Sequence, residues 1–215
     1  MTPLAVRFRF LALLVNLVLP LVGAGFARAD IIAQYTLPTA TTSTGERTGP
    51  GFEPTTLAVD SVATALTLSP NLPTPGEPFI ADRDPAYGRP VLRIDPGDNS
   101  SSRDQAVMGD RYFELTVASE PGFFLNLTSL TFLAARGGGA TPRGWVLRSS
   151  LDGFASNIDT QNVPTQRPDL TPFTVDLSGD EFQALDAVTF RIYTYVPSGG
   201  QSVEYVDVTL NGSVK

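Results

Sequence analysis

The sequence predicts an all-β fold, an antiparallel β-sandwich of jelly-roll, galactose-binding-like type with about eight or nine strands. Three observations lead there. From residue 111 onward, short runs alternate apolar and polar side chains with period two, the mark of strands with one buried face. Turn-forming Gly, Pro, Asn and Asp recur about every 8–12 residues between them. No stretch carries helical periodicity of useful length, and no internal repeat is apparent, which disfavours solenoids and propellers.

The first 29 residues read as a secretory signal peptide. Arg7 and Arg9 supply the basic region, and residues 10–22 form an apolar run of 13 residues interrupted only by Asn16 and Pro20. Ala27-Arg28-Ala29 is a small-x-small cleavage signal. A membrane-spanning helix is the second reading, but spanning takes about 20 apolar residues. Residues 30–215 remain as a single β-sandwich domain, long enough to bury a core and with no membrane span after cleavage.

Along that domain, residues 31–36 form a first apolar strand. Residues 39–56 are rich in Thr, Gly and Pro and read as loop, and residues 62–68 alternate again. Between Ser69 and Ser102 lies proline-rich surface loop, broken by a short strand at residues 91–94. Phe113, Leu115 and Val117 then alternate against Tyr112, Glu114 and Thr116, and Glu120-Pro-Gly-Phe123 makes a turn. Leu125 and Leu127 fall out of phase with Leu130, Phe132 and Ala134, which calls for a bulge near Thr128-Ser129. Arg136-Gly-Gly-Gly139 reads as an exposed flexible loop. Trp145 and Leu147 share one strand face, with Trp145, the sole tryptophan, as a core anchor. Phe173, Val175 and Leu177 mark a further strand, and residues 180–185 a single helical turn.

The last two runs, Val188-Thr-Phe-Arg-Ile-Tyr-Thr-Tyr-Val196 and Val203-Glu-Tyr-Val-Asp-Val-Thr-Leu210, read as a hairpin bent at Ser198-Gly-Gly200. The register that keeps apolar residues together pairs Phe190 with Val208 and Ile192 with Val206. It sets Arg191 beside Asp207 and Tyr193 beside Tyr205 on the outer face, with Tyr195 following.

Composition excludes whole classes of chemistry. Without cysteine there are no disulfides, thiol nucleophiles or zinc-thiolate sites, and without histidine there is no Ser-His-Asp triad and no imidazole acid–base catalysis. Removing residues 1–29 takes away three arginines and no acid, which leaves 12 basic against 22 acidic residues, a net charge of −10. That excess argues against nucleic acid or an anionic membrane surface as a partner.

The run Arg111-Tyr-Phe-Glu-Leu-Thr-Val…Pro121-Gly-Phe123…Leu127-Thr-Ser-Leu-Thr-Phe132, with Arg148-Ser-Ser-Leu-Asp-Gly-Phe154, Thr189-Phe-Arg-Ile-Tyr193 and Val206-Asp-Val-Thr-Leu-Asn-Gly212, resembles secreted bacterial proteins of the exosortase-sorted, PEP-CTERM class. The resemblance covers roughly residues 104–214 and implies an ectodomain akin to carbohydrate-binding modules. Members usually continue past the final Asn-Gly into a Pro-Glu-Pro motif, an apolar helix and a basic tail, which do not follow Gly212 here. In sandwiches of the galactose-binding kind an acid on the last strand often joins backbone carbonyls around a structural calcium. Asp207 stands in that place, although Val208 replaces the usual Asn.

The candidate ligand-binding residues are therefore Tyr193, Tyr195, Tyr205 and Arg191, with the tyrosine faces as a sugar-stacking platform. Aromatic residues also simply decorate strands, and an Arg191–Asp207 contact is an ordinary cross-strand ion pair. Asp207 is the candidate ligand of a structural calcium; no other cofactor and no catalytic residue is expected. A glycosidase needs two converging carboxyl groups, and Glu114, Glu204 and Asp207 are the strand-borne acids that could supply them. The favoured reading is a secreted, non-catalytic binding or structural module of the envelope or extracellular matrix, with extracellular polysaccharide as ligand. An adhesive matrix protein without a small ligand is the alternative, ahead of a polysaccharide-acting hydrolase.

Overall fold

A computed structural model describes residues 30–37, 52–73, 80–84 and 87–215. The signal-peptide segment and most of the loop at residues 39–56 lie outside them. Two sheets face each other, and every strand pairing within them is antiparallel. One sheet has the strand order β11 (Thr171–Asp176), β8 (Leu125–Arg136), β13 (Val203–Val214), β1 (Asp30–Tyr35) and β2 (Thr56–Leu57). It is extended by β6 (Arg89–Ile94), which pairs with β13, and by β5 (Ile80–Asp84). The other runs β10 (Asp159–Asn162), β9 (Gly144–Ser149), β12 (Ala187–Tyr195), β7 (Tyr112–Ser119) and β3 (Ser61–Ala63), with β4 (Thr67–Leu68) also on β7. The antiparallel sandwich is the predicted fold class. The strands outnumber the expected eight or nine because two- and three-residue strands give almost no periodic signal.

The core lies between the sheets, and alternation built it. Phe113, Leu115 and Val117 of β7, Leu147 and Trp145 of β9, and Val188, Phe190 and Ile192 of β12 meet Leu125, Leu130 and Phe132 of β8 and Phe173 of β11. The phase shift in β8 is a bulge: Leu127 pairs with Gly212 and Ser129 with Asn211, so Thr128 has no partner opposite it on β13. Tyr35 and Tyr205 are fully buried, and burial raises both hydroxyl pKa values above their ordinary value of about 10. A folded-state pKa above the unfolded one contributes stability that is present below the unfolded value and lost as the pH climbs past it. Urea-unfolding midpoints measured across the alkaline range are therefore expected to fall steadily above pH about 10.

The closing pair of strands is not a hairpin. β12 sits between β7 and β9 in one sheet, and β13 between β8 and β1 in the other. Residues 196–202 carry the chain from sheet to sheet. Both strands bury an apolar face, as the alternation required, but they do so across the core rather than side by side. Thr194 Oγ1 and the Tyr205 hydroxyl, 2.9 Å apart, share a hydrogen bond across the core. The predicted pairs Arg191–Asp207 and Tyr193–Tyr205 therefore do not exist. Arg191 is flanked instead by Glu114 and Arg148, and Tyr193 by Tyr112 and Val146.

A second departure lies within β13. Asp207 has a φ of 54°, and the register with β8 shifts between Val206 and Thr209. This bulge reverses the phase of the strand. Val203 and Tyr205 point into the core before it, Val208 and Leu210 after it, while Val206 packs on the outside against Val91. The predicted inner set Val206, Val208 and Leu210 thus holds only beyond the bulge.

Candidate functional site

The outer face of the β12 sheet carries the features that sequence reasoning singled out. Along β12 the outward residues are Thr189, Arg191, Tyr193 and Tyr195. β7 adds Tyr112 and Glu114, and β9 adds Val146 and Arg148. Helix α1 (Arg103–Met108) lies over the tyrosine end and buries Ala106 against Tyr112, Val146, Tyr193 and Tyr195. Ser102 caps this helix by accepting from the Gln105 N–H at 3.2 Å, and the Gln105 side chain reaches back to the Ser101 N–H and hydroxyl. Ser102-Arg-Asp-Gln105 is a capping-box pattern. That was the signal for α1, and it was missed because six residues are too few to show helical periodicity.

The expected stacking platform does not form. Tyr193 and Tyr195 each expose 2% of their surface beneath α1, and Tyr205 exposes none, on the far side of the core. Stacking on a sugar requires a free aromatic face, and no face of these three rings is free. Tyr112 and Tyr193 meet edge to face at 5.2 Å, and burial raises both of their pKa values. Arg191 is held between the rings of Phe154, at 3.9 Å, and Tyr112, at 4.2 Å, while Nε donates to Glu114 at 2.9 Å. Burial works against its charge, but the hydrogen bonds to Glu114 and Tyr193 leave its pKa above the ordinary value. This is a structural clamp rather than a ligand-facing guanidinium.

What α1 leaves open is a groove of about 540 Å³ between the helix start and the β9–β10 edge. Its walls carry Arg103, Asp104, Asn157, Thr160, Asn162 and Tyr195, with Ser101, Ser102 and Pro142 also lining it. The Tyr195 hydroxyl donates to Asn162 Oδ1 at 2.7 Å and accepts from Arg103 Nε at 3.4 Å. Thr160 Oγ1 donates to the Trp145 carbonyl at 2.9 Å, tying the groove to the core, and Asn157 Oδ1 accepts from Arg148 Nε at 2.7 Å. Gly144 lies where Tyr195 crosses β9, and a Cβ there would overlap the Tyr195 hydroxyl and the Gln161 carbonyl. The lining is thus mostly polar, and Asn157, Thr160, Asn162 and Tyr195 are held in place by these hydrogen bonds. It contains a single carboxylate, Asp104, whereas glycoside hydrolysis takes two.

No protein-family model and no curated protein matches the chain. Among solved structures it is similar to a mutant of a family 29 carbohydrate-binding module, at 12% identity over 86% of this chain and 92% of that one, with a TM-score of 0.35. It is also similar to the K3 cleaved adhesin domain of Lys-gingipain from Porphyromonas gingivalis, at 12% identity over 72% and 93%, with a TM-score of 0.40. An arabinose-bound α-L-arabinofuranosidase matches at 10% identity over 85% of this chain and 27% of that one, with a TM-score of 0.44. Likeness at this level decides nothing about ligand or activity.

The remaining predicted residues lie elsewhere. The Asp207 carboxylate sits 2.5 Å from Arg89 NH2, and a guanidinium in that place opposes a calcium ion. Among the described residues no group of three or more His, Cys, Asp or Glu is placed to hold a metal. Glu204 is buried on the opposite sheet among Tyr87, Arg93 and Arg167. Glu114, Glu204 and Asp207 are each engaged by arginine, and Glu114 is on a different sheet from the other two, so they do not converge on one cleft. The Arg136 loop is not free either. Arg143 is buried beneath it, donating to the Ala140 carbonyl at 2.8 Å and the Ser202 carbonyl at 2.7 Å.

Proposed function

We propose that this protein is a secreted, non-catalytic binding domain of the cell envelope or extracellular matrix, and that the groove beside α1 takes a polyhydroxylated ligand of extracellular-polysaccharide type. The observation that carries the reading is the groove lining: hydroxyl, amide and guanidinium groups suited to sugar hydroxyls, with one carboxylate and no second acid to do hydrolysis. The absence of histidine and cysteine and the strongly acidic balance of residues 30–215 support it, since they leave neither imidazole nor thiol chemistry nor a nucleic-acid surface. Export rests on the signal-peptide pattern in residues 1–29, and membership of the exosortase-sorted ectodomain class rests on the motif resemblance. Recognition would run through Arg103, Asn157 and Asn162 rather than through buried tyrosine faces.

A pull-down screen over insoluble and soluble polysaccharides, followed by calorimetry on any hit, tests this. Arg103→Ala and Asn162→Ala are each expected to weaken binding about tenfold, the worth of roughly 1.4 kcal/mol of hydrogen bonding. Binding that persists unchanged in both variants would move the site elsewhere, and failure to bind any glycan would remove the reading.

A further inference from the structure

The groove beside α1 offers hydrogen-bond donors that the fold leaves unused. Asn157 accepts at Oδ1 from Arg148 Nε, 2.7 Å away, and Asn162 accepts at Oδ1 from the Tyr195 hydroxyl, also 2.7 Å away. Each bond takes the oxygen end of the amide, so the end that remains is the NH2 group. Both asparagines are exposed in the groove lining, and neither amide nitrogen has a hydrogen-bond partner among the described residues. Arg103 adds a charge to these donors. Its Nε donates to the Tyr195 hydroxyl at 3.4 Å and its guanidinium carbon lies 5.9 Å from the centre of that ring. Nη1 and Nη2 have no partner among the described residues. Elsewhere the fold matches arginine to carboxylate: Arg89 with Asp207, Arg93 and Arg167 with Glu204, and Arg191 with Glu114. Arg103 forms no ion pair, even with its neighbour Asp104, although residues 30–215 hold 22 acidic against 12 basic residues. A lone exposed guanidinium is ordinary on a surface. Beside two amides that turn their NH2 groups outward, it makes a groove that lacks an acceptor-rich partner.

We infer that the groove selects an acidic glycan, with the carboxylate of a uronic acid residue on the Nη1–Nη2 fork of Arg103 and sugar oxygens accepting from Asn157 and Asn162. The inference rests on the reading of this groove as a glycan site and narrows its ligand class. A planar carboxylate meets a guanidinium fork through two parallel hydrogen bonds, the strongest neutralising contact an arginine makes. Asp104, on the same walls, favours a sugar acid over a bare anion. Its carboxylate repels an anion that has no proton to give, but accepts from the hydroxyls that a uronic acid carries beside its own carboxylate. The acidic balance of the whole chain does not oppose this contact. The Debye length is about 8 Å at physiological salt, so distant acids are screened and the local pair decides.

Calorimetric titration of the full chain with short oligomers of galacturonate, mannuronate and glucuronate, each beside its methyl ester, tests this. Esterification removes the charge and keeps the sugar and its linkage. At least one acid is expected to bind about tenfold tighter than its ester, and Arg103→Gln to bring that ratio to about one by weakening the acid alone. A groove merely loosened by the substitution would weaken both ligands and leave the ratio, so the ratio reads the charge contact and not the fold. Esters or neutral glycans that bind as tightly as the acids overturn the inference and leave the glycan reading standing. Failure to bind any saccharide overturns both. An acid-over-ester ratio that survives in Arg103→Gln overturns it by placing the charge recognition elsewhere. Dextran sulfate that binds as tightly as the best uronate overturns it too, as the mark of unselective attraction for anions.

Discussion

Replacing Phe132 by alanine is expected to destabilise the fold by about 3–5 kcal/mol, a large fraction of the stability of a typical domain. Phe132 projects from the centre of β8 across the core. Its ring meets Trp145 edge to face at 5.1 Å, stacks on Phe173 at 5.4 Å and lies 5.7 Å from Tyr205. Trp145 belongs to the opposite sheet, so this one side chain joins the two layers. Truncation would leave a cavity lined by rigid rings that cannot collapse into it, which places the cost in the upper range for such changes. Trp145 is the only tryptophan, so its fluorescence during guanidinium unfolding reports on this site without a label. A loss below about 1.5 kcal/mol would mean that the aromatic cluster is looser than its geometry indicates.

The second large effect is expected at Glu204. Its side chain is wholly buried on β13, yet it is a carboxylate. It accepts from the Tyr87 hydroxyl at 2.8 Å, from Arg93 Nε at 3.1 Å and from Arg167 NH1 at 3.5 Å. Arg93 lies directly across from it on β6, so the pairing of β6 with β13 and the ion pair reinforce each other. Glu204→Ala takes the acceptor from three donors at once, and a cost of about 3 kcal/mol is expected. The figure sits at the low end for a broken buried ion pair because the Arg93 and Arg167 side chains keep 21% and 38% of their surface in water. Glu204→Gln keeps an acceptor and the shape but not the charge, and should cost about 2 kcal/mol. Thermal unfolding of the two variants in low and high salt checks both. Loss of less than about 1 kcal/mol in Glu204→Ala would show that the arginines satisfy themselves elsewhere.

The candidate site was partly legible before the structure. Alternation placed Arg191, Tyr193 and Tyr195 on the outward face of β12, and that is where they are. What covers that face was not legible. α1 carries one turn and a half of helix, and its capping box was the only mark it left in the sequence. The groove residues Arg103, Asn157 and Asn162 come from three separate stretches with no motif among them. They become neighbours only once β10 lies along β9 and α1 lies across β12.

The sequence alone determined the class of the fold, the core positions of most strands, the bulge in β8, the core role of Trp145 and the exclusion of histidine and cysteine chemistry. Each of these depends on a residue's own type or on its immediate neighbours. Only the tertiary structure decided which strands pair, that β12 and β13 belong to opposite sheets, and that Asp207 turns the phase of its strand and meets Arg89. A period of two records that one face of a strand is buried but not what it is buried against. The same apolar face can be satisfied by a sheet across the core or by a neighbour continuing the sheet. For the closing strands, packing of the whole sandwich chose the facing sheet, and a single residue with φ of 54° then moved Tyr205 from the expected surface into the core.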